Sequence, residues 1–251
     1  MPYIDVGGEN KLYYEEKNST GKIPLFFCHG SGGNSGHWSY QAALPKEFRL
    51  IFLDLPGHGE STGPPLNTVE GYREVIKSMV EELQPGKFFL VGHSLGGAIT
   101  LDYARCYPDD LRGMILISTG ARLKVLPSIL ETFRNKEFVP EMPYYIYGKN
   151  ADPKLIQESQ REMSETPPEV FYADFSACDK FDIMEEVPGI NVPALVIVGD
   201  EDRLTPEKYS HYLAENLPRA ELFVIEGAGH MVMLESSDLV NQKISNFIQS
   251  P

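Results

Sequence analysis

Several features that would place a chain in a large functional class are missing here. No apolar run approaches the roughly 18 residues that suggest a membrane-spanning helix. The start, Met1-Pro2-Tyr3-Ile4-Asp5, has neither a basic stretch nor an apolar one, so no secretory signal is read from it. Cations are scarce: 22 Lys and Arg against 36 Asp and Glu give a formal net charge of −14, with no basic stripe. Such a surface is a poor match for nucleic acid. Three cysteines occur, an odd number without metal-ligand spacing. Cys28 falls in a predicted buried strand and Cys106 in a predicted helix, which suits reduced core thiols and a cytoplasmic location. No internal repeat or low-complexity tract interrupts the 251 residues, which suffice for one large domain.

What is present centres on Gly92-His93-Ser94-Leu95-Gly96. It follows the apolar run Phe88-Phe89-Leu90-Val91 and precedes the helix-forming stretch 98–104. A Gly-x-Ser-x-Gly that ends a strand and opens a helix is a nucleophile elbow. Its serine is held in strained backbone angles, and side chains two positions either side would clash. A serine hydroxyl needs a base, and the base needs an orienting acid.

The C-terminal third supplies candidates for both. Ala194-Leu195-Val196-Ile197-Val198 reads as a buried parallel strand without polar alternation. It runs into Gly199-Asp200-Glu201-Asp202-Arg203-Leu204, with Thr205 read as a helix N-cap and Pro206 as the first helical residue. From position alone Asp200, Glu201 and Asp202 are all open as the acid. The next strand, Leu222-Phe223-Val224-Ile225, ends in Glu226-Gly227-Ala228-Gly229-His230. Both loops leave the C-terminal ends of their strands, the edge where α/β sheets gather functional groups. Among six histidines, His230 is the one set by glycines at a strand end and followed by the apolar wall Met231-Val232-Met233-Leu234. His29 and His58 are read as structural turn residues, His93 as pointing away from the reaction, and His37 and His211 as surface or loop residues.

Elsewhere, Tyr72, Ile76, Met79, Val80 and Leu83 recur at helical spacing until Pro85-Gly86 stops them. A hairpin is expected through Gly7-Gly8-Glu9-Asn10, and a last helix over 237–248. From about Arg122 to Pro188 the strand–helix alternation stops and prolines and aromatics become dense, among them Phe133, Tyr144, Tyr145, Phe171 and Phe175.

With His29-Gly30 after Leu25-Phe26-Phe27-Cys28, then Asp54-Leu55-Pro56-Gly57-His58-Gly59-Glu60-Ser61, then the elbow and the Asp202 and Gly229-His230 loops, the chain resembles serine hydrolases of the α/β-hydrolase superfamily. The resemblance covers nearly all of the length outside 122–188. It implies an α/β fold: a mostly parallel eight-stranded sheet flanked by helices, with a helical cap inserted after the sixth strand. Residues 1–121 and 189–251 would form the core and 122–188 the cap. It further implies Ser94 as nucleophile, His230 as general base and Asp202, the second Asp of Gly-Asp-x-Asp, as the acid. Some relatives carry the acid one strand earlier, but here Met114-Ile115-Leu116-Ile117 is followed by Ser118-Thr119-Gly120-Ala121 and no carboxylate.

The oxyanion formed in such chemistry needs two fixed donors. The backbone N–H of Leu95, at a helix start, is one. That of Ser31 is expected as the other, with Gly32 as fallback. Gly32, Trp38, Tyr144 and Tyr145 are candidates to line the substrate site, Trp38 being equally a helix-packing residue. Serine rather than aspartate at position 94 implies an acyl-enzyme. The leading expectation is a carboxylesterase for small to medium, largely apolar esters, with no metal or organic cofactor and a monomer by default, a dimer being possible. A lactonase or carbon–carbon hydrolase, a hydroxynitrile lyase or perhydrolase, and a small-molecule receptor retaining the triad remain alternatives.

Overall fold

The structure, a computed structural model, describes residues 3–7 and 11–250. Of the expected hairpin turn Gly7-Gly8-Glu9-Asn10, the last three residues lie outside the described residues. The strands it was to join are β1 (Tyr3–Asp5) and β2 (Lys11–Lys17), which pair antiparallel. Six more follow: β3 (Ile23–Cys28), β4 (Phe48–Leu53), β5 (Phe88–His93), β6 (Leu111–Ile117), β7 (Ala194–Gly199) and β8 (Ala220–Ile225). They form one sheet in the order β1-β2-β4-β3-β5-β6-β7-β8, parallel from β4 through β8.

The central strands are apolar throughout because both faces of the sheet are covered, so alternate residues feed two separate cores. Phe26 and Cys28 of β3, Leu90 of β5, Leu116 of β6 and Val196 of β7 face one core. Helices α1 (Val69–Leu83), α2 (Leu95–Cys106) and α7 (Lys208–Asn216) contribute Tyr72, Ile76, Ile99 and Leu213 to it. Leu25, Phe27, Val91, Ile115 and Ile197 face the other. That side is closed by Trp38, by α8 (Val232–Glu235) and by Val240 and Ile244 of α9 (Ser237–Gln249).

Helix α1 starts at Thr68, whose side chain accepts from Gly71 N–H, and ends on Gln84 in a left-handed conformation, just before the expected Pro85-Gly86 stop. Cys106, expected in the core, is exposed at the last residue of α2. Between β6 and β7 the alternation does cease. Four helices occupy that stretch: α3 (Pro127–Arg134), α4 (Met142–Ile146), α5 (Pro153–Glu165) and α6 (Pro168–Lys180). They bury a small apolar cluster of their own, Phe133, Met142 and Phe171. No helix among the described residues is long and apolar enough to cross a membrane.

Candidate active site

Ser94 sits between β5 and α2 with φ of +52°, in the left-handed region that side chains avoid. The turn is held from both sides. Ser94 N–H donates to Ile117 O (3.0 Å), and Thr119 Oγ1 donates to Ser94 O (2.8 Å). Its tightness explains the flanking glycines. A β-carbon on Gly92 would strike the Gly96 carbonyl, and one on Gly96 the carbonyl of Cys28.

Asp202 and His230 are brought together from loops after β7 and β8. His230 Nδ1 lies 2.9 Å from Asp202 Oδ2, and both residues are buried. Asp202 also accepts from the N–H groups of Leu204 and Thr205 (2.9 Å each) and from Thr205 Oγ1 (2.8 Å). Thr205 is therefore not the helix cap read from sequence: its hydroxyl serves Asp202, and α7 begins only at Lys208. Burial pushes the Asp202 carboxyl up, but the His230 imidazole and the Thr205 hydrogen bonds outweigh it and hold it down at about 2. Asp200 instead accepts from Gly227 N–H, and Glu201 pairs with Lys149, so neither competes for the imidazole.

The His230 loop is tied down by groups the sequence did not flag. His230 N–H donates to Ile146 O (2.6 Å). Glu235 accepts from Gly229 N–H (2.9 Å) and Gly148 N–H (2.8 Å). His93 was expected to point away, yet its ring lies 4.7 Å from that of His230 and its Nε2 is 3.0 Å from His230 O. A carbonyl only accepts, so Nε2 carries the hydrogen. Burial first, and the nearby His230 second, lower the His93 pKa well below that of an ordinary histidine. The variable position of the turn thus carries a neutral imidazole that donates to the His230 carbonyl, a contact its sequence neighbours do not signal.

On the other side, Leu95 opens α2, so its N–H is among those a helix leaves without an internal acceptor. Ser31 N–H has no acceptor among the described residues. Gly32 N–H donates to Asp174 Oδ2 (2.8 Å), which removes it as the fallback donor. His29 behaves as expected of a turn histidine, donating from Nδ1 to Gly30 O (2.8 Å) and accepting from Leu55 N–H at Nε2 (3.0 Å).

Residues 25–243 match the model of the alpha/beta hydrolase family. The chain belongs to that family. Among curated relatives, this hydrolase is 30% identical to the dihydrolipoyllysine-residue acetyltransferase component of the acetoin cleaving system of Pseudomonas putida, over 98% of this chain and 68% of that protein. Among solved structures, a thermophilic esterase is 34% identical, with a TM-score of 0.83 over 98% of this chain and 96% of its own. A thermophilic esterase from Thermogutta terrifontis is 28% identical, with a TM-score of 0.87 over 99% and 96%.

Two cavities of the hydrolase meet at Ser94. The inner one, about 80 Å³, is lined by Ser94, His230, His93 and the loop Gly30-Ser31-Gly32, and roofed by Met142, Ile146, Phe171 and Phe175. The outer one, about 540 Å³, is mostly apolar and shares Ser31, Ser94, Met142, Phe175 and Leu204 with the inner. His37, read as a surface or loop residue, is half-buried at the inner cavity with its Nε2 3.2 Å from Glu162. Of the candidate lining residues, Gly32 borders the inner cavity and Tyr145 the outer. Tyr144 is exposed and borders neither; its hydroxyl accepts from Gln160 (3.2 Å). Trp38 is fully buried, with its ring 5.2 Å from Phe27, and takes the helix-packing role rather than lining an entrance. No group of three or more potential metal ligands occurs among the described residues.

Proposed function

We propose that this hydrolase cleaves carboxylic esters through an acyl-enzyme on Ser94. The observation that carries the reading is one cavity bordered by a strained serine and by a histidine whose Nδ1 is held by a buried carboxylate. In the first half-reaction Ser94 Oγ attacks the ester carbonyl while His230 Nε2 takes its proton. Asp202 fixes the tautomer that leaves Nε2 free and stabilises the imidazolium. The N–H groups of Ser31 and Leu95 receive the oxyanion. His230 then protonates the leaving alcohol, and a water activated by the same imidazole releases the acid.

The helices α3–α6, spanning the proposed cap at 122–188, would exclude water from this step and shape both pockets. Their Met and Phe side chains favour largely apolar esters. The inner cavity suits a small group on one side of the scissile bond, and the outer cavity a larger one on the other.

The test is hydrolysis of p-nitrophenyl esters from acetate to laurate by the wild type and Ser94→Ala. We expect turnover with one preferred chain length, falling by about 10⁴-fold or more in the variant. Negligible turnover by a folded wild type would overturn the ester reading and direct attention to lactones and ring-fission diketones. Slow turnover with a large ligand-dependent rise in Tm would instead indicate a receptor.

A further inference from the structure

Asp174, on α6, has no solvent exposure. A carboxylate in that position persists only when partnered. Three separate elements supply donors: Gly32 N–H at 2.8 Å and His58 Nε2 at 2.9 Å, both to Oδ2, and the Tyr72 hydroxyl at 2.6 Å to Oδ1. His58 Nδ1 lies 3.0 Å from Pro56 O, which can only accept. With Asp174 ionised, as its donors from Gly32 and Tyr72 favour, both ring nitrogens carry hydrogen and the ring is an imidazolium that balances it locally. Burial opposes the charge on His58, but the field and hydrogen bond of Asp174 outweigh it and raise the His58 pKa.

This cluster adjoins the loop assigned to the oxyanion. Gly32 follows Ser31 directly, so the bond to Asp174 fixes the plane of the peptide next to the Ser31 N–H. A β-carbon on Gly32 would collide with the ring of Phe171, one turn before Asp174, and Cys178 Sγ lies 3.9 Å from Ser31 Oγ. Residues 171, 174 and 178 form one stripe of α6. The loop thus rests on a single helix face. An unbalanced carboxylate at that place would oppose the negative charge that grows on the substrate oxygen.

We propose that Asp174, charge-balanced by His58, is a positioning residue that sets the Ser31–Gly32 loop for oxyanion binding and makes catalysis depend on the docking of α6. The proposal rests on the reading of Ser31 as an oxyanion donor, so its test uses a probe that needs no particular substrate. That probe is a fluorophosphonate, whose rate of labelling Ser94 reports the activated serine and the oxyanion loop together.

Asp174→Asn keeps the shape but removes the charge and one acceptor. Labelling should slow by about a hundredfold, and kcat on the best p-nitrophenyl ester should fall in parallel with KM changed by less than about threefold. Tyr72→Phe removes a bond from the other carboxylate oxygen and leaves the loop bond, so labelling should slow by at most about threefold. His58→Gln keeps a donor but loses the charge and should slow labelling at least about tenfold; it decides the matter if Asp174→Asn does not fold. The proposal is overturned if folded Asp174→Asn or His58→Gln labels at the wild-type rate, or if Tyr72→Phe slows labelling as much as either, since the loss would then follow stability. A wild type that labels but turns over no ester removes the ester reading and leaves this one standing. One that does not label removes both.

Discussion

Ser94 occupies a backbone conformation that costs on the order of 1–3 kcal/mol for a residue with a β-carbon. The cost is local and should be recoverable. Ser94→Gly is expected to unfold at higher urea than Ser94→Ala, by about 1 kcal/mol, with both variants inactive on esters. Asp202 carries a second prediction. Asp202→Asn should lower kcat by about 10⁴-fold, because the imidazole loses the partner that sets its tautomer. The folded-state pKa of Asp202 is depressed to about 2, so its stabilising contribution is present above the ordinary carboxylate range and lost as pH falls through that value. The stability gap between wild type and Asp202→Asn should therefore close on acidification, as measured by urea titrations at successive pH values. Ser94, Asp202 and His230 were legible because each stands at a strand end beside glycine or a short polar loop. His93, Asp174 and Glu235 were not, since His93 meets His230, Asp174 meets Gly32, His58 and Tyr72, and Glu235 meets Gly148, all far off in sequence and joined only by the fold.

At the scale of elements, the elbow joins β5 to α2 with no room between them. Gly96→Ala should destabilise by about 1–3 kcal/mol or more, because the new methyl meets the Cys28 carbonyl rather than a movable side chain. Urea unfolding checks this, and a neutral result would mean that α2 can shift away from β3. The sheet strands were readable because each central one is apolar on both faces. The individual helices between β6 and β7 were not: α5 buries none of its residues fully, and α4 spans five residues, too few to show a period. Thr205 failed for another reason. A Thr-Pro pair reads as a helix start, but the threonine hydroxyl had a stronger acceptor in Asp202.

For the whole molecule, Met142 and Phe175 are among the side chains that border both the cavity of about 80 Å³ and that of about 540 Å³. Phe175→Ala should join the two and move the preferred p-nitrophenyl ester to a longer chain, while the rate on acetate falls; an unchanged profile would show that the ester lies elsewhere. The formal charge of −14 adds a global term. Self-repulsion weakens as the screening length falls from about 30 Å at 0.01 M salt to about 8 Å at 0.15 M, so Tm should rise over that interval.

Helix α2 has Ser94 at its head and the exposed Cys106 at its foot. The remaining thiols, Cys28 and Cys178, are buried, and burial raises the pKa of both, that of Cys178 to about 12. Maleimide chemistry at neutral pH should therefore attach a single dye, some 18 Å along a rigid axis from the serine. Paired with an acceptor delivered on a fluorophosphonate, that dye turns the helix into a built-in spectroscopic ruler of fixed length, on which the onset of energy transfer counts the serines that have been labelled.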